Sequence, residues 1–174
     1  MMKHIFIWAV ALLSTQASFA QQSINTANSA VKFEISNWSI KTVEGTFGGM
    51  TGIFNLNSND LANSNFNVCI DAATINTENE QRDEHLKTDD FFDVEKYPNI
   101  CFKSTSITKS DKGYTTTGTL SMHGVSKKVS IPFTYHNNTF TGTLEIDRTD
   151  FGVGSDGGFM VGEEVSLEII CVVK

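Results

Sequence analysis

Arg82, Asp83 and His85 place three chemically versatile side chains within four residues of one another. A guanidinium can bind a phosphate through two parallel hydrogen bonds, and an imidazole can donate to a hydroxyl or a quinone oxygen. The group is therefore a candidate for holding the polar end of a ligand. The alternative role is structural: Arg82 and Asp83 bond to the backbone and to each other, and fix their own segment over the rest of the fold.

A metal site at this group would need His85 together with nearby carboxylates such as Asp83, Asp89 or Asp93. Zinc sites combine several His or Cys ligands at characteristic spacings. No second histidine lies at such a spacing from His85. The sequence therefore predicts no metal and no cofactor.

Other motifs that could support catalysis or nucleotide binding are incomplete. No G-x-S-x-G nucleophile elbow occurs in the sequence. Residues 152–157 match G-x-G-x-x-G, but the residues after them have a strand-like pattern, whereas a dinucleotide site needs this motif to open a helix. We expect His123 to make a structural hydrogen bond in a tight turn, and Arg148 to pair with a nearby carboxylate. No catalytic residue is predicted.

The charged segment that contains Arg82, residues 77–98, differs from everything around it and is termed the insert. Thr77 and Glu80 form a capping-box pattern, which predicts a helix over about residues 78–87 within a helical insert of about residues 78–93. Residues 87–89 are expected to end this helix, and Thr88 or Asp89 to cap a second helical turn that contains Phe91 and Phe92.

Phe91 and Phe92 lie in the second half of the insert. Two adjacent rings are too apolar to remain in water. We expect them to cover one end of the hydrophobic core.

Alternating apolar and polar residues dominate the rest of the chain. Val31, Phe33 and Ile35, for example, alternate with polar residues, which is typical of a half-buried strand. The pair Gly48-Gly49 interrupts one such pattern and predicts a bulge or sharp bend. About eight strands with short turns predict an all-β fold, an eight-stranded antiparallel barrel with one short helical insert. Such a barrel is filled by side chains or holds one small ligand.

The three cysteines differ in their predicted environment. Cys69 and Cys101 fall on the outward faces of the strands that flank the insert, and a cross-strand disulfide is expected if those strands are neighbours. Cys171 points inward by the same alternation, which predicts a free, buried thiol that acts as a small apolar side chain.

Residues 1–20 have the features of a signal peptide. Lys3 precedes a short apolar run, and small residues lead to a cleavage site near Ala20-Gln21. The expected mature chain, residues 21–174, is then a single exported domain, periplasmic or secreted. Losing Lys3 changes its formal net charge from −7 to −8. This acidity argues against nucleic acid and anionic membranes as partners, and no later segment predicts stable membrane insertion. The sequence does not define an oligomeric state.

A series of motifs, in order along about residues 23–173, resembles the YceI-like family of exported polyisoprenoid-binding proteins. The motifs that match are Thr74-Ile75-Asn76-Thr77, Arg82-Asp83-Glu84-His85-Leu86, Asp90-Phe91-Phe92-Asp93, Tyr97-Pro98, Phe102-Lys103-Ser104, Leu120–Lys127 and Asp147–Gly152. The resemblance implies a lipocalin-like antiparallel barrel with a long apolar pore and without known catalytic residues. It also implies that the pore holds an isoprenoid chain, of the polyprenyl or quinone type.

These expectations define a candidate site. The residues expected to line the lumen are Phe33, Ile35, Phe54, Val68, Ile70, Phe102, Leu120, Phe133, Phe140, Leu144 and Leu167. Those expected to form its mouth or lid are Arg82, Asp83, His85, Phe91 and Phe92. The predicted function is that of an exported carrier or sequestering protein with an apolar lipid as its ligand. The alternatives are a secreted enzyme acting on a small apolar substrate, or a ligand-free barrel that serves as an interaction module.

Overall fold

The computed structural model describes residues 22–37, 41–154 and 161–174. The predicted signal peptide and the second half of the G-x-G-x-x-G segment lie outside these ranges. The described residues form nine strands: β1 (Ala30–Asn37), β2 (Lys41–Phe47), β3 (Thr51–Asn55), β4 (Asn65–Asp71), β5 (Asn99–Ser110), β6 (Gly113–Met122), β7 (Val125–His136), β8 (Thr139–Asp147) and β9 (Glu164–Val172). They also form the helix α1 (Glu80–Leu86) and four single 3-10 turns, at Thr26–Asn28, Leu61–Asn63, Ala72–Thr74 and Thr149–Phe151.

The strands form one antiparallel sheet in the order β2-β1-β9-β8-β7-β6-β5-β4-β3. The sheet curls so that β1 pairs with β9, as expected for an up-and-down barrel. The predicted all-β, lipocalin-like fold is confirmed, with nine strands instead of eight. The extra strand arises at Gly48-Gly49, where the chain ends β2 and begins β3 instead of only bending. Gly49 has a φ of +65°, a left-handed conformation that side chains rarely adopt.

The edges of the sheet, β2 and β3, do not pair with each other along a ladder. The chain that follows β4 lies in part of the gap between these two edges. Thr46 of β2 exchanges two backbone hydrogen bonds with Asn76, at 2.9 and 3.0 Å, and the Asp71 amide donates to the Gly48 carbonyl at 3.2 Å. The insert that begins at residue 77 is therefore held beside β2.

Aromatic rings fill one end of the barrel. Phe54, Phe66, Phe133 and Phe140, here called the aromatic floor, have ring centroids 4.4–5.9 Å apart in the pairs that touch. Each is no more than 5% exposed. These distances correspond to rings in direct contact. This end of the barrel is therefore solid.

Cys69 on β4 lies directly opposite Cys101 on β5, and the two form a disulfide. The strands that they join are the ones that lead into and out of the insert. Cys171 is free and buried. The disulfide therefore closes a loop that contains the whole insert.

Removing this disulfide should destabilise the protein, because the unfolded chain gains the conformational freedom of a loop of 32 residues. The Cys69→Ser/Cys101→Ser variant should lose about 3–4 kcal/mol in the free energy of unfolding. Urea unfolding measures the loss. Dithiothreitol should lower the stability of the wild-type protein similarly and leave the variant unchanged; equal stability of variant and wild type would contradict the assignment.

Candidate functional site

A cavity of about 840 Å³ lies between the aromatic floor and the insert. All nine strands contribute residues to its wall, and most of these residues are aliphatic or aromatic. Alternation along each strand explains this wall, because every second side chain of a curled sheet points inward. The barrel is therefore filled at one end and hollow at the other.

Ten of the eleven residues expected to line the lumen lie on the wall of this cavity: Phe33, Ile35, Phe54, Val68, Ile70, Phe102, Leu120, Phe140, Leu144 and Leu167. The exception is Phe133, whose expected place on the wall was wrong. Its ring stacks on Phe140 at 4.5 Å and on Tyr114 at 5.3 Å, within the solid end of the barrel. Alternation predicts that a side chain points inward, but not how far along the bore it lies.

The wall also includes residues that the predicted lumen omitted. Several share the inward alternation of a predicted strand, so the same signal could have identified them: Val31, Val43, Phe47, Ile100, Met122, Ile131, Ile146, Val165, Ile169 and Cys171. Met50 and Val161 lie just before β3 and β9 and continue the alternation of those strands. Ile75 and Val153, in connecting segments, and Leu86, in α1, have no such strand signal.

Two glycines keep aromatic rings flat against the wall. A Cβ at Gly45 would lie 2.3 Å from Cζ of Phe33, its partner across the strands. A Cβ at Gly118 would lie 2.6 Å from Cζ of Phe102. Such distances are far too short for a real Cβ, so each ring occupies the space that a side chain would fill. The rings therefore lie on the wall instead of projecting into the bore.

The polar residues that line the cavity come mainly from the insert, at the end opposite the floor. His85 is exposed, with Nε2 3.0 Å from Oδ2 of Asp90 and its ring edge-on to Phe91 at 5.1 Å. Phe92 packs its edge on Phe47 of β2 at 5.3 Å. We call this end the mouth; its polar lining residues are Thr77, Arg82, His85, Asp89, Asp90, His123 and Arg148.

Arg82 and Asp83 anchor the insert through Thr77. The Thr77 amide and hydroxyl both donate to Asp83 Oδ1, the amide at 2.9 Å. Arg82 donates from Nε to the Thr77 hydroxyl at 2.7 Å and from Nη2 to the Thr77 carbonyl at 2.8 Å. Asp83 is 9% exposed and does not line the cavity. The geometry matches the structural alternative, except that the two side chains meet at Thr77 and not at each other.

The helix in the insert is shorter than predicted, and its cap is a different residue. Asn79 is the N-cap, and its side chain accepts from the Arg82 amide at 3.0 Å. The predicted capping box at Thr77 was wrong because the Thr77 hydroxyl is already bonded to Asp83. After α1 the chain continues in turns to Tyr97, so residues 87–93 are not helical.

We expect the Asp83→Ala substitution to loosen the insert. It leaves the buried Thr77 amide and hydroxyl without an acceptor, which costs about 1–3 kcal/mol in the free energy of unfolding. Hydrogen exchange should rise across the insert. Glu95→Ala, which removes an exposed carboxylate from the same segment, should change neither quantity. Slow exchange retained in Asp83→Ala would show that the insert is held by other contacts.

Arg148 is buried and bonds to backbone carbonyls. Its Nη1 donates to Val153 at 2.6 Å and to Gly154 at 2.7 Å, and its Nε donates to Gly162 at 2.8 Å. Within the described part of the chain it pairs with no carboxylate, so the predicted ion pair was wrong there. Four carbonyl contacts, including Nη2 to Val161 at 3.2 Å, satisfy this guanidinium and shape the mouth. His123 makes the expected structural contact, with Nδ1 3.3 Å from the Phe151 carbonyl oxygen.

Burial raises the pKa of the Cys171 thiol from 9.0 to about 11, although a hydrogen bond with Ser29 opposes the shift. Between those two values the unfolded chain loses the thiol proton while the folded chain retains it. The contribution of Cys171 to stability is therefore complete below pH 9 and decreases as the pH rises to about 11.

We expect the free energy of unfolding to fall more steeply between pH 9 and about 11 with Cys171 than with Cys171→Ala. Both proteins should be compared in the Cys69→Ser/Cys101→Ser background, which prevents thiol–disulfide exchange. Other titrating groups are common to both and cancel in the difference. Denaturant unfolding at half-unit pH intervals measures the slopes, and parallel slopes would contradict the raised pKa.

The described residues contain no cluster of three or more His, Cys, Asp or Glu side chains arranged to hold a metal ion. In the same ranges, no helix is both long and apolar enough to cross a membrane.

A single antiparallel barrel with an interior apolar cavity defines a class of ligand-binding barrels, and sequence comparison identifies the family. A model of the YceI-like domain matches residues 22–173. The chain belongs to the YceI-like family, as the motif resemblance predicted.

Relatives of similar length support this assignment. A UPF0312 protein of Shewanella denitrificans is 30% identical, and the match covers 98% of this chain and 97% of the relative. A UPF0312 protein of Vibrio parahaemolyticus is 28% identical, and the match covers 88% of this chain and 89% of the relative.

Solved structures share the fold. BcnA of Burkholderia cenocepacia is 25% identical with a TM-score of 0.74, and the match covers 85% of this chain and 98% of BcnA. A polyisoprenoid binding domain from Saccharophagus degradans is 14% identical with a TM-score of 0.64, covering 86% and 95%. At that identity the second match shows the fold alone.

Proposed function

We propose that this protein is an exported carrier or sequestering protein that holds an isoprenoid-type lipid in the cavity. The observation that most strongly supports the proposal is the 840 Å³ cavity with its nearly continuous apolar wall. Ligand pockets in proteins have volumes of about 300–1,000 Å³. The Saccharophagus degradans neighbour, a polyisoprenoid binding domain, has the same fold, so an isoprenoid ligand is compatible with this fold.

The driving force for binding is burial of the lipid chain. Each buried methylene contributes about 0.8 kcal/mol, so a five-carbon isoprene unit contributes roughly 4 kcal/mol before the entropic cost of binding. The wall offers this burial without polar groups that would need hydrogen bonds from the ligand. Branched, unsaturated chains suit such a wall because phenyl rings and aliphatic groups contact them from all sides.

The mouth receives the polar end of the lipid in this proposal. His85 is exposed; its Nε2 lies 3.0 Å from Asp90, and its Nδ1 can bond to a hydroxyl or quinone oxygen. Arg82 already donates to Thr77 through two of its nitrogens, and Asp83 is buried behind it. We therefore assign His85 to headgroup contact, Arg82 and Asp83 to the support of the insert, and Phe91 to the rim.

Delivery outside the cytoplasm is part of the same proposal. The basic and apolar segments of residues 1–20 have the pattern of a signal peptide. An isoprenoid lipid is almost insoluble in water, so a protein that encloses it allows transfer across an aqueous compartment.

Native mass spectrometry of protein purified without detergent tests this function. We expect a fraction of the protein to carry a lipid adduct, and the apo protein to bind geranylgeraniol. Leu167→Gln, which places an amide on the cavity wall, should weaken geranylgeraniol binding at least tenfold because the amide is buried without a partner.

Ser166→Gln is the matched control, since Ser166 neighbours Leu167 but is exposed on the outer face. It should bind geranylgeraniol as the wild type does. A protein without adduct that also fails to bind geranylgeraniol would overturn the proposal and favour an interaction module.

A further inference from the structure

We propose that the aromatic floor limits the length of the bound chain, so that the ligand has about four to six isoprene units within the protein. This inference depends on the proposed function, because it concerns the ligand of the same cavity. It adds a specificity that the family resemblance does not contain. The floor residues would then determine which isoprenoids bind best.

The floor has two layers. Phe54 and Phe140 line the cavity, so their rings form its bottom. Phe66 and Phe133 do not line it and lie in contact with the first layer: Phe66 stacks on Phe54 at 4.4 Å, and Phe133 stacks on Phe140 at 4.5 Å. A hydrocarbon chain cannot pass between rings in direct contact.

The chain covers this end of the barrel as well. Residue Ile24 forms a bridge with Val173, next to the end of β9, and the Thr26 hydroxyl donates to the Met50 carbonyl at 2.9 Å. Gln22 forms a further bridge with Phe54. The N-terminal segment therefore ties β9 to β3 and covers the barrel at the end of the floor.

The depth of the cavity gives a first estimate of chain length. On β9 the wall extends from Val165 to Cys171. Six residue steps of about 3.3 Å correspond to about 20 Å. An isoprene unit contributes four chain bonds of about 1.5 Å each, or roughly 5 Å along a zigzag. An extended chain of about four units that follows β9 therefore reaches from the mouth to the floor.

The volume gives a second, independent estimate. A methylene occupies about the volume of a water molecule, roughly 30 Å³, so a cavity of 840 Å³ holds on the order of 28 carbon atoms. That number corresponds to between five and six isoprene units if the chain folds to fill the space. Units beyond the sixth would have to leave through the mouth.

A chain that emerges through the mouth gains little from its extra length. In the described part of the chain, the exposed side chains there include His85, Asp89 and Asp90, which offer little apolar surface beyond the Phe91 rim to cover a hydrocarbon. The affinity should therefore rise with length while units enter the cavity and become constant once the cavity is full.

A series of all-trans prenols with two to nine isoprene units tests the limit. Competition in native mass spectrometry, with pairs of prenols at equal low concentration, measures relative affinity. We expect at least tenfold tighter binding with each added unit up to about four to six units, and less than threefold change from there to nine.

Variants of the floor test its role. Phe140→Ala removes a ring from the bottom layer of the cavity and should move the limit to longer chains by about one unit. Phe151→Ala is the control: Phe151 is equally buried but lies near the mouth and outside the cavity wall, so the limit should stay in place. Cys171 pairs with Phe140 across β8 and β9. The Cys171→Leu substitution adds atoms at the bottom of the cavity and should make the longest chain that fits shorter.

The outcomes separate this inference from the proposed function. Affinity that continues to rise to nine units would overturn the length limit but leave isoprenoid binding intact. Failure of every prenol to bind would overturn the proposed function itself. If the chain length at which affinity stops rising is unchanged in both Cys171→Leu and Phe140→Ala, the floor does not set the length limit. If Phe140→Ala does not fold, Cys171→Leu alone decides, because its added atoms enter existing cavity space.

Discussion

The physical constraint that governs this structure is the space inside a curled nine-stranded sheet. Every second side chain points inward, and those side chains are too few and too small to fill the whole bore. Four phenylalanine rings fill one end completely, and the cavity occupies the rest of the bore. An apolar cavity of this size is costly to leave in contact with water, so an apolar occupant would stabilise the folded state.

The insert, together with Asn76 just before it, covers the edge of the sheet at β2. Consecutive strands β2 and β3 lie at opposite edges, so backbone hydrogen bonds do not close the barrel there. Asn76 pairs with Thr46 on β2, and Phe92 packs on Phe47. The buried hydrogen bonds of Thr77 with Asp83 and Arg82 then hold the insert in place. The same segment thus completes the wall and forms the mouth, with Arg82 and Asp83 as its anchors.

Much of the fold could be predicted from the sequence, because alternation is a local property. The strands around Phe33, Val68 and Leu144 have the expected inward faces, and the motif series predicted the family correctly. The strand count was one too low, since the pattern around Gly48-Gly49 does not distinguish a bend from a break between two strands. The cap of α1 was misassigned for a similar reason: a threonine hydroxyl can bond to a helix amide or to a carboxylate, and the local sequence allows both.

By itself, the sequence determined which side chains face the interior, because successive residues of a strand point to opposite sides whatever the rest of the chain does. Only the tertiary structure decided how that interior is divided. Phe133 and Phe140 are the same residue type and both point inward, yet Phe133 lies in the lower layer of the floor and Phe140 lines the cavity. The difference depends on which rings from β3, β4, β7 and β8 meet at one level of the barrel. That level is set by cross-strand register, which depends on pairing between residues far apart in the chain.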